Sequence, residues 1–522
     1  MRSDDPPKTY SFDLGRACAV LSERSSYDID ENRLAGADWI EEGIERLVTE
    51  FGNERGARLT GEPAHERLIE WIEDELESTD DIEVEALPYE IERWSLREAS
   101  LSVPGAGEVP IAGYVPFTEP TGPEGITAPV VEAPRDEPIG TGDVDGKVVL
   151  REFPPGQIDI SGSGKYRIYL HDPELASAEG SGPPESYPAA RKVMETDLKE
   201  AAEAGAAAVL FVLEFPAEEI PLYLRPNFQG KDPSFRFTGG IWADAPGLFV
   251  GVDEGEALRE RLSAGEEPEA SLVVDADVEA TETRTIVGRV PGDAGERVAL
   301  ATHTDGTNAI QENGVFGLLS LAKYFAGLPA EERLSRTIEF GFTTGHFYGR
   351  IGGRDYAQQL AEAGDVALFL GVEHLGTLGF RTVEREDGPG RVVEETGNKG
   401  GSSLVTTESP DLIAEVVRTV VNHDLPRTSV NRADQPGTRL LNEPATETPD
   451  AATHANNFGG EASMYYRNGL PTINYISGNF RLLTFDVGPE LVDPDLYFDQ
   501  TVALADLLHR VDDLSAEEIA EE

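Results

Sequence analysis

Cysteine is almost missing from this 522-residue chain; the single Cys18 excludes an intramolecular disulfide and any cysteine-based metal cluster. Positive charge is scarce as well. There are 43 Lys+Arg against 98 Asp+Glu, a formal charge of −55, and only eight of the basic residues are lysine. A body this acidic repels phosphate backbones and anionic headgroups, which excludes nucleic acid and membrane surfaces as partners. No apolar run reaches the roughly 18 residues a bilayer-spanning helix needs. The opening MRSDDPPKTYSFDLGRA has neither an apolar core nor a twin arginine, so no signal peptide is expected and a cytoplasmic location is. The acid is spread along the chain instead of gathered in a tail, and Val, Leu and Ile recur in bounded runs, which argues against disorder. Such a folded polyanion reads as a protein for molar salt, where a Debye length of about 3 Å screens self-repulsion.

What is present divides the chain into parts. Residues 1–34 are a polar extension. In 35–104, ADWIEEGIERLVTEFG and EPAHERLIEWIEDELEST carry apolar residues at helical spacing, and IEVEALPYEIERW alternates as a strand does. From 105 to 285 Gly and Pro thicken, and short strands such as GKVVLREF, AAVLFVL and GLFVGV stand between loops, as in a small β-rich module. Its longest irregular stretch, about 155–190, reads as an ordered loop or a mobile lid. From 286 to 522 strands alternate with helices: RVALATH, GVFGLLSLAKYFAGL, RTIEFGFTT, VALFLGVEHLG, SPDLIAEVVRTVVNHD, GLPTINYISG and PDLYFDQTVALADLLHRVDDL. This pattern predicts an α/β fold, a mostly parallel sheet with helices on both faces.

Ligands of such sheets sit beyond the carboxyl ends of the strands. There RVALATHTD places His303 and Asp305, RTIEFGFTTGH places His346, VALFLGVEH places Glu373 and His374, and AIQENGVFGLL puts Glu312 and Asn313 at the mouth of a helix. Imidazole and carboxylate at successive strand ends are donors that divalent metals accept. Asp305, two residues past His303, is suited to fixing that imidazole. Each residue alone has a plainer reading, a hydrogen-bonded structural histidine or one more exposed acid; their coincidence singles them out. His65, His171, His423 and His509 fall outside the pattern, and His454 sits in a polar loop before the GLPTINY strand.

At these residues the chain resembles the M28 family of zinc aminopeptidases. The resemblance rests on HTD at 303–305, EN at 312–313, TGHFYGRIGG at 344–353, VEHLG at 372–376 and GLP at 469–471. Upstream, GARLTGEPAHERLIEWIEDEL resembles the family's helical opening. The 105–285 module, through DVDGKVVL and EAAEAGAAAVLFV, is similar to an inserted protease-associated (PA) domain. The implied fold is zinc-exopeptidase-like, with a discontinuous peptidase domain (35–104 and 286–522) around that insert.

The family holds two metal ions across a bridging carboxylate. The resemblance puts His303 and Glu373 on one ion, with Glu312 bridging, Glu standing at both positions where the family has Asp. The private ligands of the other ion fall on Phe347 and about Leu483, and the general base on His346. Losses confined to one ion imply a single divalent metal, zinc first, held by His303, Glu312 and Glu373, with His346 a fourth ligand or a base. Glu461 matches the acid that receives a substrate's ammonium, or is one more solvated acid. The expected activity is aminopeptidase-type hydrolysis of small peptides or amides. The alternatives are a catalytically inactive binding scaffold and a non-hydrolytic single-metal enzyme. Oligomeric state is not legible.

Overall fold

The structure, a computed structural model, describes residues 27, 29–157, 167–173, 185–226, 237–433, 458, 460–478, 480–485 and 487–520. Cys18, His454 and much of the 155–190 stretch lie outside them. Two amphipathic helices come first, α1 (Ala37–Thr49) and α2 (Pro63–Glu77). In α1 the buried Ile40, Gly43, Ile44 and Leu47 repeat at helical spacing, and in α2 a proline at the first turn starts a helix that buries Leu68, Ile69, Ile72 and Leu76.

The sheet is built on two long strands, β1 (Glu83–Val103) and β2 (Glu269–Val290), paired antiparallel from Glu83–Arg289 to Ser102–Ser271 with one slip between Leu96 and Glu98. Six more strands continue it: β3 (Arg297–His303), β4 (Thr337–Thr343), β5 (Val366–Glu373), β6 (Ser402–Thr406), β7 (Thr428–Arg432) and β8 (Thr472–Ser477). Their order is β1-β2-β4-β3-β5-β8-β6-β7, and the central four, β4-β3-β5-β8, are parallel. Parallel central strands need both faces covered. Val298 and Leu300 of β3 join one apolar cluster, with α1, α2, α3 (Gly314–Ala326), α5 (Pro410–Asn422) and α7 (Pro494–Asp512). Ala299 and Ala301 join another, with α4 (Ile351–Ala363) and α6 (Ala462–Arg467). The fold class is therefore α/β, with mostly parallel central strands and helices on both faces.

The residues between β1 and β2 extend the same sheet beyond the other end of β2. Strands Ile126–Glu132, Val148–Glu152, Ala208–Val212 and Gly247–Val250 run parallel, and the first pairs with Glu269–Leu272 of β2. No flexible linker joins this insert to the main sheet, because β2 runs unbroken through the 285/286 border. Part of the long irregular stretch is also ordered: Arg167–His171 is an edge strand antiparallel to β7. Among the described residues no helix is long and apolar enough to cross a membrane.

Candidate metal centre

His303 is the last residue of β3 and Glu373 the last of β5. Adjacent parallel strands deliver both to one edge. Glu312 comes from the loop before α3, and this loop is held by a buried arginine. The Arg58 guanidinium donates to the carbonyls of Leu47 (3.2 Å), Asn308 (3.2 Å) and Gln311 (2.8 Å), while its backbone pairs with Gly306. Glu312 then takes a left-handed backbone (φ 65°), which turns its side chain back under β3. His374 does the same after β5 (φ 61°). Asn313 fastens the two turns together, donating to the Leu375 carbonyl and accepting from the Leu375 N–H, both at 2.8 Å.

In each of the four side chains one polar atom is tied to the protein and the other is aimed inward. His303 Nδ1 donates to the Asp305 carbonyl (2.7 Å), and His374 Nδ1 to the Ser477 carbonyl (2.9 Å). Glu312 Oε1 accepts from the Thr302 hydroxyl, and Glu373 Oε1 from the Glu461 N–H (2.9 Å). The remaining atoms converge: His303 Nε2 stands 2.5 Å from Glu312 Oε2 and 3.9 Å from Glu373 Oε2, and His374 Nε2 is 4.0 Å from Glu312 Oε2. One donor atom from each residue lies within 4.8 Å of all the others. All four residues are buried, and Glu312 Oε2 and His374 Nε2 have no hydrogen-bond partner. A buried polar atom left unpaired costs about 1–3 kcal/mol, more when charged. Two such atoms facing one point fit a cation between them.

The electrostatics ask for positive charge at this point. Burial opposes ionisation of His303, but the adjacent Glu312 and Asp305 outweigh it and hold the ring well above the imidazole range. Two imidazole nitrogens with two carboxylate oxygens suit zinc and its first-row neighbours. The imidazoles are oriented through their second nitrogens, as metal-bound histidines usually are.

His346 does not join the four. Its ring stacks on His303 with centroids 3.8 Å apart and planes 14° from parallel. Its nitrogens are not among the donor atoms that converge from His303, Glu312, Glu373 and His374. His346 Nδ1 instead meets Glu461 Oε1 at 3.2 Å. Burial, His303 and the guanidiniums of Arg350, Arg225 and Arg191 push its pKa well below the usual value, so the ring is neutral. Glu461 is buried with both oxygens engaged, Oε2 by the Thr343 hydroxyl at 2.5 Å. Burial raises its pKa to about 7, assisted by Glu373 and opposed by His303, the Thr343 bond and Arg350. It is thus placed as the partner of His346, with no oxygen left free for an ammonium group.

Asp305 accepts from the Thr60 hydroxyl (2.5 Å), the Phe347 N–H (2.8 Å) and the His346 N–H (3.2 Å). Burial would raise its pKa, but the His303 contact overrides this and keeps it a carboxylate. His65, outside the sequence pattern, buttresses the same loop through Thr304 (2.7 Å). His171 and His423 pair with Asp424 and Asp506, and His509 stacks on Tyr27.

Phe347 and Leu483 are buried in the apolar cluster of the insert. Phe347 packs on Tyr223 (5.6 Å), and the Leu483 carbonyl accepts from the Tyr223 N–H (2.8 Å). At the two positions to which the resemblance assigns a second ion, the side chains are apolar and buried.

His374, one of the strand-end candidates, is the donor that the ligand set drawn from the resemblance left out. Consecutive strand residues point to opposite faces, so Glu373 and His374 would diverge if the strand ran on. Only the left-handed turn at His374 brings both inward, and nothing in the letters VEHLG signals it.

No family profile and no curated protein matches this chain at significance. Its architecture is nevertheless found among solved structures. A zinc aminopeptidase from Bacillus subtilis is 14% identical, with 93% of this chain and 98% of that one covered and a TM-score of 0.59. An aminopeptidase from Aneurinibacillus sp. strain AM-1 is 15% identical (92% and 95% covered, TM-score 0.56). A peptidase M28 precursor from Shewanella amazonensis SB2B is 16% identical (97% and 98% covered, TM-score 0.58). At such identities the likeness establishes the zinc-exopeptidase fold.

Proposed function

We propose that this chain is a metal-dependent hydrolase of the M28 aminopeptidase kind, acting on peptide or amide bonds with one divalent metal instead of two. The observation that carries it is the convergence of His303, Glu312, Glu373 and His374, each with one atom anchored and the other facing a common point, where Glu312 Oε2 and His374 Nε2 have no hydrogen-bond partner and His303 Nε2 meets only Gln311 Nε2 (3.3 Å) and Glu312. A divalent ion bound there supplies Lewis acidity toward a carbonyl oxygen. His346 and Glu461 are a hydrogen-bonded pair beside that point, and a neutral imidazole backed by a carboxylate can accept a proton from an attacking water. Asp305 orients His303. The insert is read as a PA-like domain and the setting as a salt-rich cytoplasm. The test is metal analysis with turnover of aminoacyl-p-nitroanilides and dipeptides: about one equivalent of metal with turnover lost in His346→Gln supports the reading, and a metal-free protein overturns it.

A second reading has its own observation. Four protein donors complete a tetrahedral shell, as in structural zinc sites, and all four are buried. One equivalent of tightly held metal with no turnover of any amide would make the ion a structural clasp in a binding scaffold.

A further inference from the structure

Beside Glu312 in the loop between β3 and α3 stands a buried amide, Gln311, 4% exposed. Its backbone is held from both sides. The N–H donates to Asn308 Oδ1 (2.7 Å), and the carbonyl accepts from the Arg58 guanidinium (2.8 Å). Asn308 is itself fixed, donating to the Thr484 carbonyl (2.7 Å). The loop closes tightly: a Cβ at Gly306 would lie 2.2 Å from the Gln311 carbonyl oxygen. From this clamp the side chain reaches the metal centre, where its Nε2 stands 3.3 Å from His303 Nε2.

That separation is the one neighbouring ligands of a single ion have. Two donors about 2.0–2.1 Å from one zinc ion stand roughly 3.3–3.4 Å apart at tetrahedral angles and about 3 Å apart at right angles. Glu373 Oε2, one of the four converging donors, is farther from the same nitrogen, at 3.9 Å. By distance the end of Gln311 belongs to the shell, and only the NH2 group it turns inward does not suit a cation. The hydrogen bond that turns it inward needs an unoccupied His303 nitrogen. His303 Nδ1 gives its hydrogen to the Asp305 carbonyl, so Nε2 of the neutral ring offers a lone pair and Gln311 donates to it. A metal ion takes that lone pair, as does a proton, and the NH2 is left facing positive charge without an acceptor. Half a turn of the amide exchanges NH2 for the carbonyl oxygen with no change of shape. The oxygen then faces the cation.

We propose that Gln311 is the fifth donor of the metal centre, its amide oxygen completing a shell of two nitrogens and three oxygens. Amide carbonyl oxygens bind hard divalent ions. Being neutral, this oxygen is the weakest of the three and the one an incoming carbonyl displaces. A centre of buried ligands thereby gains the exchangeable position that hydrolysis requires. The assignment rests on the metal centre of the proposed function, not on turnover, and needs no substrate to test. Cobalt(II) loaded into the full chain reports the number of donors by its visible absorption, weak for five and intense for four.

The parent should give the weak five-donor spectrum. Gln311→Leu, apolar and of similar size so that no water takes the amide's place, should give the intense tetrahedral one. Its cobalt affinity should fall by about tenfold or more, at least what loss of a supporting partner costs. Gln311→Glu keeps the size and puts a charged oxygen in the same position, so it should retain the five-donor spectrum and bind cobalt no less tightly than the parent. It also carries the test if the leucine variant does not fold. A tetrahedral spectrum in the parent, an unchanged spectrum in Gln311→Leu, or a four-donor spectrum in Gln311→Glu would overturn the fifth donor and leave the four-donor centre standing. A parent that binds no cobalt would overturn the centre and the fifth donor together.

Discussion

His303 has two contrasting neighbourhoods. On its Nε2 side three further polar side chains converge with their outer atoms anchored, and the inner atoms of two of them, Glu312 Oε2 and His374 Nε2, have no hydrogen-bond partner. On its flank stands Phe347, 6.4 Å ring to ring, continuous with Tyr223, Leu483 and Phe485 of the insert's apolar cluster. Within one crevice, one side is prepared for charge and the other sealed against it. Burial alone does not separate them, since both are close to fully buried. The difference is what each leaves unsatisfied: free donor atoms on one side, none on the other. The polar side is built by anchoring the second atom of each side chain, and the apolar side by aromatic packing.

The largest expected effect breaks the polar side. Glu312→Ala removes the donor that faces both imidazoles, and elemental analysis should find the bound metal gone. Next comes the apolar side: Phe347→Glu, designed to restore a ligand, should load no second ion and should destabilise the fold by about 3 kcal/mol or more in denaturant melts, because it buries an unpaired carboxylate. A second equivalent of metal in that variant would show that the flank is not sealed. Gly460→Ala sharpens the argument from anchoring. A Cβ there would lie 1.8 Å from Glu373 Oε1, on a backbone with φ 53°, so Glu373 must move. Metal affinity should fall about 10- to 100-fold, as for loss of a supporting partner, while the circular dichroism stays native.

The smallest effect is a control remote from the centre. In α7, burial raises the pKa of Asp506, but hydrogen bonds from His423 and Arg510 overcome this and lower it. A folded pKa below the unfolded one gives stability that is present above the ordinary Asp value of about 3.9 and lost as pH falls through the folded value. Asp506→Asn should therefore flatten the acid limb of a Tm–pH curve, with metal content unchanged.

Much of the architecture was legible because it follows from periodicity. Val298 to Ala301 alternate between the two faces of β3, and α3 is apolar all round because it is packed on every side. His303, Glu312 and Glu373 could be picked out because strand ends and a helix mouth in an α/β sheet gather at one edge. Geometry finer than periodicity was not legible. The left-handed turn at His374 reverses the face a strand assigns it, and the plane of His346, set by stacking on His303, cannot be read from the letters TGH. The long β2 strand hid the 285/286 border, since a strand that pairs with Ile126–Glu132 at one end and with β4 at the other carries no linker composition.

The central claim is one cation between two histidines and two glutamates. A crystal structure of the zinc-loaded protein, with anomalous data collected at the zinc edge, tests it most directly. The account predicts a single peak bonded by His303 Nε2, His374 Nε2, Glu312 Oε2 and Glu373 Oε2. Two peaks, with the second beside Phe347, or no peak among these four side chains, would contradict it.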